Sequence, residues 1–99
     1  MQMIAIQNNN WTISGDLNHS SVTDIERAYK SNFKDICNNW SINFEKCINI
    51  DSSGLALIVK FIKLSNQLGV DLTLKNINNK TLELAKIYGI YSIIFKYIK

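Results

Sequence analysis

The chain has 99 residues, 46% of them hydrophobic and 19% charged, with no proline and a formal net charge of +3. That length holds one core but not a second lobe, so 1–99 reads as a single domain whose function uses its surface. Ten of the eleven basic residues are lysines scattered along the chain, which argues against a nucleic-acid surface, and Lys60 and Lys63 interrupt the longest apolar run well short of the roughly 20 residues a bilayer span requires.

Met1 to Ile6 lacks the basic region and apolar core of a signal peptide, so the expected location is the cytoplasm. Alternation in Met3-Ile4-Ala5-Ile6-Gln7 and in Trp11-Thr12-Ile13-Ser14-Gly15 predicts an opening hairpin, turned at Asn8 to Asn10. Ser21-Val22-Thr23-Asp24 has the form of a capping box, and Ile25, Tyr29, Phe33 and Ile36 or Cys37 follow at helical spacing, which predicts a first helix over 22–38. A third strand is expected between Trp40 and Asp51, with a break near Lys46. The second helix is predicted from Ser53 to about Leu68, stopped by Gly69. Val70 to Lys75 alternates as a fourth strand. Asn79 or Thr81 then caps a third helix that ends at Gly89, and the segment from Ile90 to Lys99 fits a helix or a strand.

This order, β-β-α-β-α-β-α with a short tail, implies an α/β layer fold: a mixed sheet of about four strands, right-handed crossovers and three main helices. Cys37 and Cys47 have no His or Cys at zinc spacing and read as reduced, buried small groups. His19 stands alone in a predicted loop beside Asn18 and Ser20, and reads as a solvated surface residue. No HExxH, CxxC, GxSxG or GxxxxGK(S/T) pattern occurs, and Gly15, Gly54, Gly69 and Gly89 are too dispersed to cradle a phosphate. The expectation is a non-catalytic chain with no cofactor and no metal.

Two features remain. Ile50-Asp51-Ser52-Ser53-Gly54-Leu55 is a strand-to-helix junction, where Ser52 or Ser53 can cap the helix and where the dipole tolerates negative charge. On the helix behind it, Leu55, Ile58, Val59 and Ile62 form one apolar stripe, and Leu57, Phe61, Leu64 and Leu68 a second, read as nearly opposite. The first stripe is expected to face the sheet. The second is expected to stay exposed and to dock a partner, with Lys60 and Lys63 at its border.

Asp51-Ser52-Ser53-Gly54-Leu55, between the Ile48-Asn49-Ile50 strand and the long apolar helix, resembles the signature of the STAS domain, the anti-sigma factor antagonist fold. Gly15 and the Asp16-Leu17 step fit that family as well. More narrowly, Ser52 to Leu57 and Leu84-Ala85-Lys86-Ile87-Tyr88-Gly89-Ile90 resemble the small STAS subunits of Mla-type phospholipid-transport ABC systems.

The narrower resemblance implies a regulatory subunit that binds the cytoplasmic ATPase of the transporter. Through that ATPase it would sit next to a membrane permease, supporting phospholipid trafficking and outer-membrane lipid asymmetry. The broader resemblance implies the alternative: an anti-sigma factor antagonist whose Ser52 is phosphorylated by an anti-sigma kinase. The fourth helix usual in antagonists looks reduced here, which favours the transport reading. Both implied functions converge on Ser52, and the partner-binding or regulatory surface is expected to comprise Asp51, Ser52, Ser53 and Gly54 at the junction with Leu57, Phe61 and Leu64 as apolar contact area. Tyr91, Phe95 and Tyr97, with Lys96 and Lys99, are expected either to touch partner or membrane or to close the open end of the core.

Overall fold

The computed structural model describes residues 4–30, 36 and 38–98. Its elements are β1 (Ile4–Gln7), β2 (Asn10–Leu17), α1 (His19–Tyr29), β3 (Asn39–Ile50), α2 (Ser52–Leu68), β4 (Asp71–Lys75), α3 (Asn79–Ile87) and α4 (Tyr91–Phe95). The strands form one sheet in the order β1-β2-β3-β4; β1 pairs antiparallel with β2, and the other two pairings are parallel. The hairpin turns where expected, with Asn8 at a φ of 53°, a conformation asparagine tolerates better than most residues.

Alternation sorts the strand residues by face. Trp11, Ile13, Trp40, Ile42, Phe44, Leu72 and Leu74 are buried beneath the helices, while Thr12, Ser14, Ser41, Asn43 and Thr73 are only half-buried. The sheet is thus apolar on one side and polar on the other. The expected break near Lys46 is a change of register in a continuous strand: Thr12 lies opposite Asn43 but Ser14 opposite Lys46, so β3 carries an extra residue. The Asn43 side chain accepts a hydrogen bond from the Glu45 N–H at 2.9 Å there. Beyond the shift Cys47 turns into the core, its thiol 3.4 Å from the Ile13 carbonyl, and Ile48 turns to solvent.

The first helix begins earlier than the capping-box reading placed it. Asn18 is its N-cap, accepting from the Ser20 and Ser21 N–H groups at 3.0 Å each, and the Ser21 hydroxyl accepts in return from the Asn18 N–H at 2.9 Å. An amide one turn upstream supplies the cap, so His19 is the first residue of α1 rather than part of a loop. The described helix stops at Tyr29, and Asn38, expected to be its last residue, has a left-handed φ of 65°. Expectations for Met3, Phe33, Cys37 and Lys99 lie outside the described residues.

Most of the two stripes assigned to α2 forms the flanks of one buried arc; Val59, expected to face the sheet, is half-buried and lines an outer groove, and of the stripe expected to stay exposed only Leu64, half-buried, and Leu68, exposed, remain accessible. At 100° per residue the centres of the two stripes stand about 140° apart, so a single broad contact can cover both. Leu55, Ile58 and Ile62 are buried on one flank and Leu57 and Phe61 on the other. Phe61 packs edge-on against Trp11 and Trp40, with centroids 6.0 and 5.6 Å away, and against Tyr29 of α1 at 5.4 Å. The expected exposed face at Leu57 and Phe61 is therefore core, because α1 lies beside α2 and closes that flank.

At its C-terminal end α2 stops at Gly69, which is left-handed at φ 69°. The tail after α3 combines both expected conformations. One helical turn, α4, buries Ile94, and the chain then runs along β4, where the Leu74 N–H donates to the Tyr97 carbonyl at 2.7 Å and Ile98 bridges Leu74.

Candidate functional site

The β3–α2 junction is anchored by backbone before any side chain acts. The Asp51 N–H donates to the Leu17 carbonyl at 3.1 Å, which ties the junction to the end of β2. Asp51 then caps α2, its carboxylate accepting from the Ser53 and Gly54 N–H groups at 2.8 and 3.2 Å. The expectation that Ser52 or Ser53 is the cap is corrected: a carboxylate satisfies two of the helix's free donors and adds a favourable charge at the positive end of the dipole. Ser52 is therefore the first helical residue, exposed, with a hydroxyl that the cap does not use. Ser53 is half-buried.

Gly54 is buried, and its role is packing. A Cβ at this position would stand 2.6 Å from Cγ2 of Ile50 and 2.8 Å from Cβ of Leu17. The absence of a side chain lets the first turn of α2 sit directly on the ends of β2 and β3. That close approach sets where the first turn of α2, which carries Ser52, sits on the strands.

The outer face of α2 forms one side of an open groove of about 860 Å³, lined by Ser52, Leu55, Ala56, Val59, Lys63 and Gln67 along the helix and by Tyr88 and Ile90 after α3. Lys60 and Leu64 complete the lining on the side toward α1, where Lys60 forms an ion pair with Glu26. Of the residues expected on the docking surface, Asp51 and Ser52 are exposed and Ser53 and Leu64 half-exposed, whereas Gly54, Leu57 and Phe61 are not available to a partner. Sequence reasoning did not assign Ala56 and Gln67 to the docking surface and turned Val59 toward the sheet, whereas all three line the groove. Their signal is the spacing of small and polar residues from Ser52 through Ala56, Lys63 and Gln67, which share one helical face.

Among the described residues two groups have raised pKa values. Burial pushes the Cys47 thiol up to about 12, with the Asp16 charge adding to the effect. Burial likewise raises the Tyr29 hydroxyl to about 12, with Glu26 contributing. Both are core groups, and neither lines the groove. Among the described residues no cluster of His, Cys, Asp and Glu could hold a metal ion, and no helix is long and apolar enough to cross a membrane.

A family model described as the STAS domain matches residues 3–99. No curated protein matches the chain in sequence. Among solved structures, the anti-sigma factor antagonist SpoIIAA in its unphosphorylated form is similar, with a TM-score of 0.69 and 18% identity over 97% of this chain and 84% of that one. At that identity the likeness shows a shared fold and no more.

Proposed function

The chain belongs to the STAS domain family, and from that premise we propose that it is a non-catalytic regulatory subunit that docks on the cytoplasmic ATPase of an Mla-type ABC transporter. Its place would be peripheral to the membrane, held there by the ATPase, in a system that moves phospholipid and maintains outer-membrane lipid asymmetry. The observation that carries the reading is the exposed Ser52 hydroxyl. Asp51 takes over the cap, so Ser52 is displayed at the start of α2 next to the open groove and is not consumed by the fold. The docking surface comprises Asp51, Ser52 and Ser53 with Leu64 and the outer face of α2, in place of the Leu57 and Phe61 stripe. The residues that resemble Mla-type subunits, Ser52 to Leu57 and Leu84 to Ile90, bring two of these parts together: Ser52 lines one wall of the groove, and Tyr88 and Ile90 line the other.

A second reading rests on the same hydroxyl. As an anti-sigma factor antagonist, the chain would present Ser52 to an anti-sigma kinase. Phosphate at that position would place about two negative charges beside the Asp51 carboxylate and break the complex by repulsion. The fold similarity to SpoIIAA is compatible with that function.

Affinity purification from native membranes separates the two. Recovery of an ABC ATPase and permease supports transport, and recovery of an anti-sigma kinase refutes it. In the transport case Ser52→Asp is expected to weaken ATPase capture at least fivefold while leaving the melting temperature unchanged or slightly raised, since a carboxylate in the first helical turn favours the dipole. Undiminished capture would remove Ser52 from the interface.

A further inference from the structure

We infer that the surface made by α4 and the end of α3 lies against an anionic lipid bilayer, with Ile87, Ile93 and Phe95 entering the headgroup layer and Lys86 and Lys96 meeting lipid phosphates. This contact goes beyond both functional readings and depends on neither. Charge points to it first. Basic residues are spread along the chain, but acidic ones are not: the first 74 residues hold six basic and seven acidic side chains, whereas residues 75–99 hold five lysines and only Glu83. The whole excess of positive charge therefore belongs to the last quarter of the chain, an asymmetry that suits one end of a molecule to a polyanionic surface.

Apolar exposure coincides with that charge. Ile87, Ile93 and Phe95 are exposed, Ile87 at 78% and Phe95 at 59%, and they line none of the grooves beside α1, α2 or the sheet, whereas Tyr88 turns to the groove beside α2. In α4 the buried Ile94 faces the core, which leaves Ile93 and Phe95 outward on either side of Ser92. Phe95 stacks on Tyr91 with ring centroids 5.5 Å apart, and the Lys86 Nζ stands 4.8 Å from the centre of the Tyr91 ring. Lys86, Tyr91 and Phe95 thus form one continuous patch, and Lys96 adjoins it at the C-cap of α4. Lys80, Lys86 and Lys96 are exposed and make no ion pair among the described residues; Glu83, one turn before Lys86 on α3, offsets a single charge.

The shape selects the occupant. Protruding apolar tips without a groove of their own require a matching cavity on a protein partner, but a headgroup layer requires none. Aromatic and aliphatic tips enter the boundary between headgroups and acyl chains, while lysine stems lie along it and carry their ammonium groups to phosphate. Tyr97 and Ile98, half-buried along β4, hold the tail to the sheet, so the contact is made by a folded surface.

The experiment uses the purified full chain with vesicles of phosphatidylcholine, alone or mixed with phosphatidylglycerol. Trp11 and Trp40 are both buried, so Phe95→Trp adds an exposed indole whose emission is expected to shift to the blue on anionic vesicles and to be quenched by lipids brominated on their acyl chains, with the parent unchanged. Lys86→Gln and Lys96→Gln are each expected to weaken co-sedimentation with anionic vesicles about fivefold, and salt at about 0.5 M to remove most of it. Lys46→Gln, on the bulge of β3, is the control and is expected to change binding less than twofold. Ile87→Ser combined with Ile93→Ser is expected to weaken binding with all lysines in place, its melting temperature confirming that it is folded. Absence of binding to anionic vesicles, equal binding to neutral ones, or an unshifted emission from Phe95→Trp overturns the inference. Capture of an acidic protein by this surface without vesicle binding overturns it as well and assigns the patch to a protein. Each of these outcomes leaves the ATPase and kinase readings to their own test.

Discussion

Replacing Gly54 with alanine sets two effects of opposite sign against each other. Alanine favours a helix over glycine by up to about 1 kcal/mol, and less in a first turn. Against this, the added methyl would stand 2.6 Å from Cγ2 of Ile50, 2.8 Å from Cβ of Leu17 and 3.2 Å from the Leu17 carbonyl. Two of those neighbours are backbone or backbone-attached atoms, and the Leu17 carbonyl also holds the Asp51 N–H, so relief requires moving the start of α2 off the strands. Forcing one methylene into such packing costs about 1–3 kcal/mol. The steric term wins, leaving a net loss of about 1–2 kcal/mol. For a domain of this size that lowers the melting temperature by about 4–8 °C per kcal/mol, measured by circular dichroism with a urea midpoint as a check. Because the first turn carries Ser52, partner binding at a temperature where the variant is folded should weaken as well. An unchanged or higher melting temperature would show that the junction yields freely, and that Gly54 does not fix the position of Ser52.

Asp51→Ala is expected to destabilise the domain by about 1 kcal/mol through loss of the α2 cap, while Asp51→Asn, which retains an accepting oxygen, stays within about 0.5 kcal/mol of the parent; urea titration distinguishes them. Phe61→Ala should lose about 3–5 kcal/mol, because it leaves a void among Trp11, Trp40 and Tyr29. Its partner affinity, measured on the folded fraction by calorimetry, should remain near parental, and a binding defect with full stability would return Phe61 to the interface. Cys47 and Tyr29 hold their protons more tightly folded than unfolded, so the stability they contribute is complete below about pH 9 and falls as pH rises from their ordinary values of 9.0 and 10.0 toward about 12. Alkaline denaturation should show that decline, and Cys47→Ala should move its onset up by about one pH unit. In a Cys37→Ser background, a thiol reagent at pH 8 should modify Cys47 only as fast as the protein opens.

Local chemistry made the element order readable. Alternation marks every strand, Gly69 ends α2 where expected, and the junction at Asp51 to Leu55 stands at the edge of the groove. Cap identity was less legible, since Asn18, Asp51 and Asn78 each cap a helix beside serine, threonine or asparagine neighbours able to do the same. A sequence reports which residues can accept, not which backbone turn brings them into line. The error at Leu57 and Phe61 has a tertiary cause: periodicity gives the angle between two stripes but not the width of what covers them. Here α1 and the paired tryptophans of β2 and β3 cover the flank that the sequence left open. The groove was invisible for a related reason, as its second wall comes from Tyr88 and Ile90, more than twenty residues beyond Lys63 in the chain.

The pairing of Tyr97 and Ile98 with Leu74 bears on how the protein fails under stress. A free sheet edge is a template for intermolecular strand addition, and this short segment occupies part of the β4 edge. It is held by a backbone hydrogen bond, one bridge, the buried Ile94 and the half-buried Tyr97 and Ile98, far less than holds a central strand. On mild heating it should peel away before the sheet itself opens, uncovering backbone donors and acceptors next to Leu72 and Leu74. The onset of aggregation is therefore set by how long these few residues stay docked, and it can precede global unfolding.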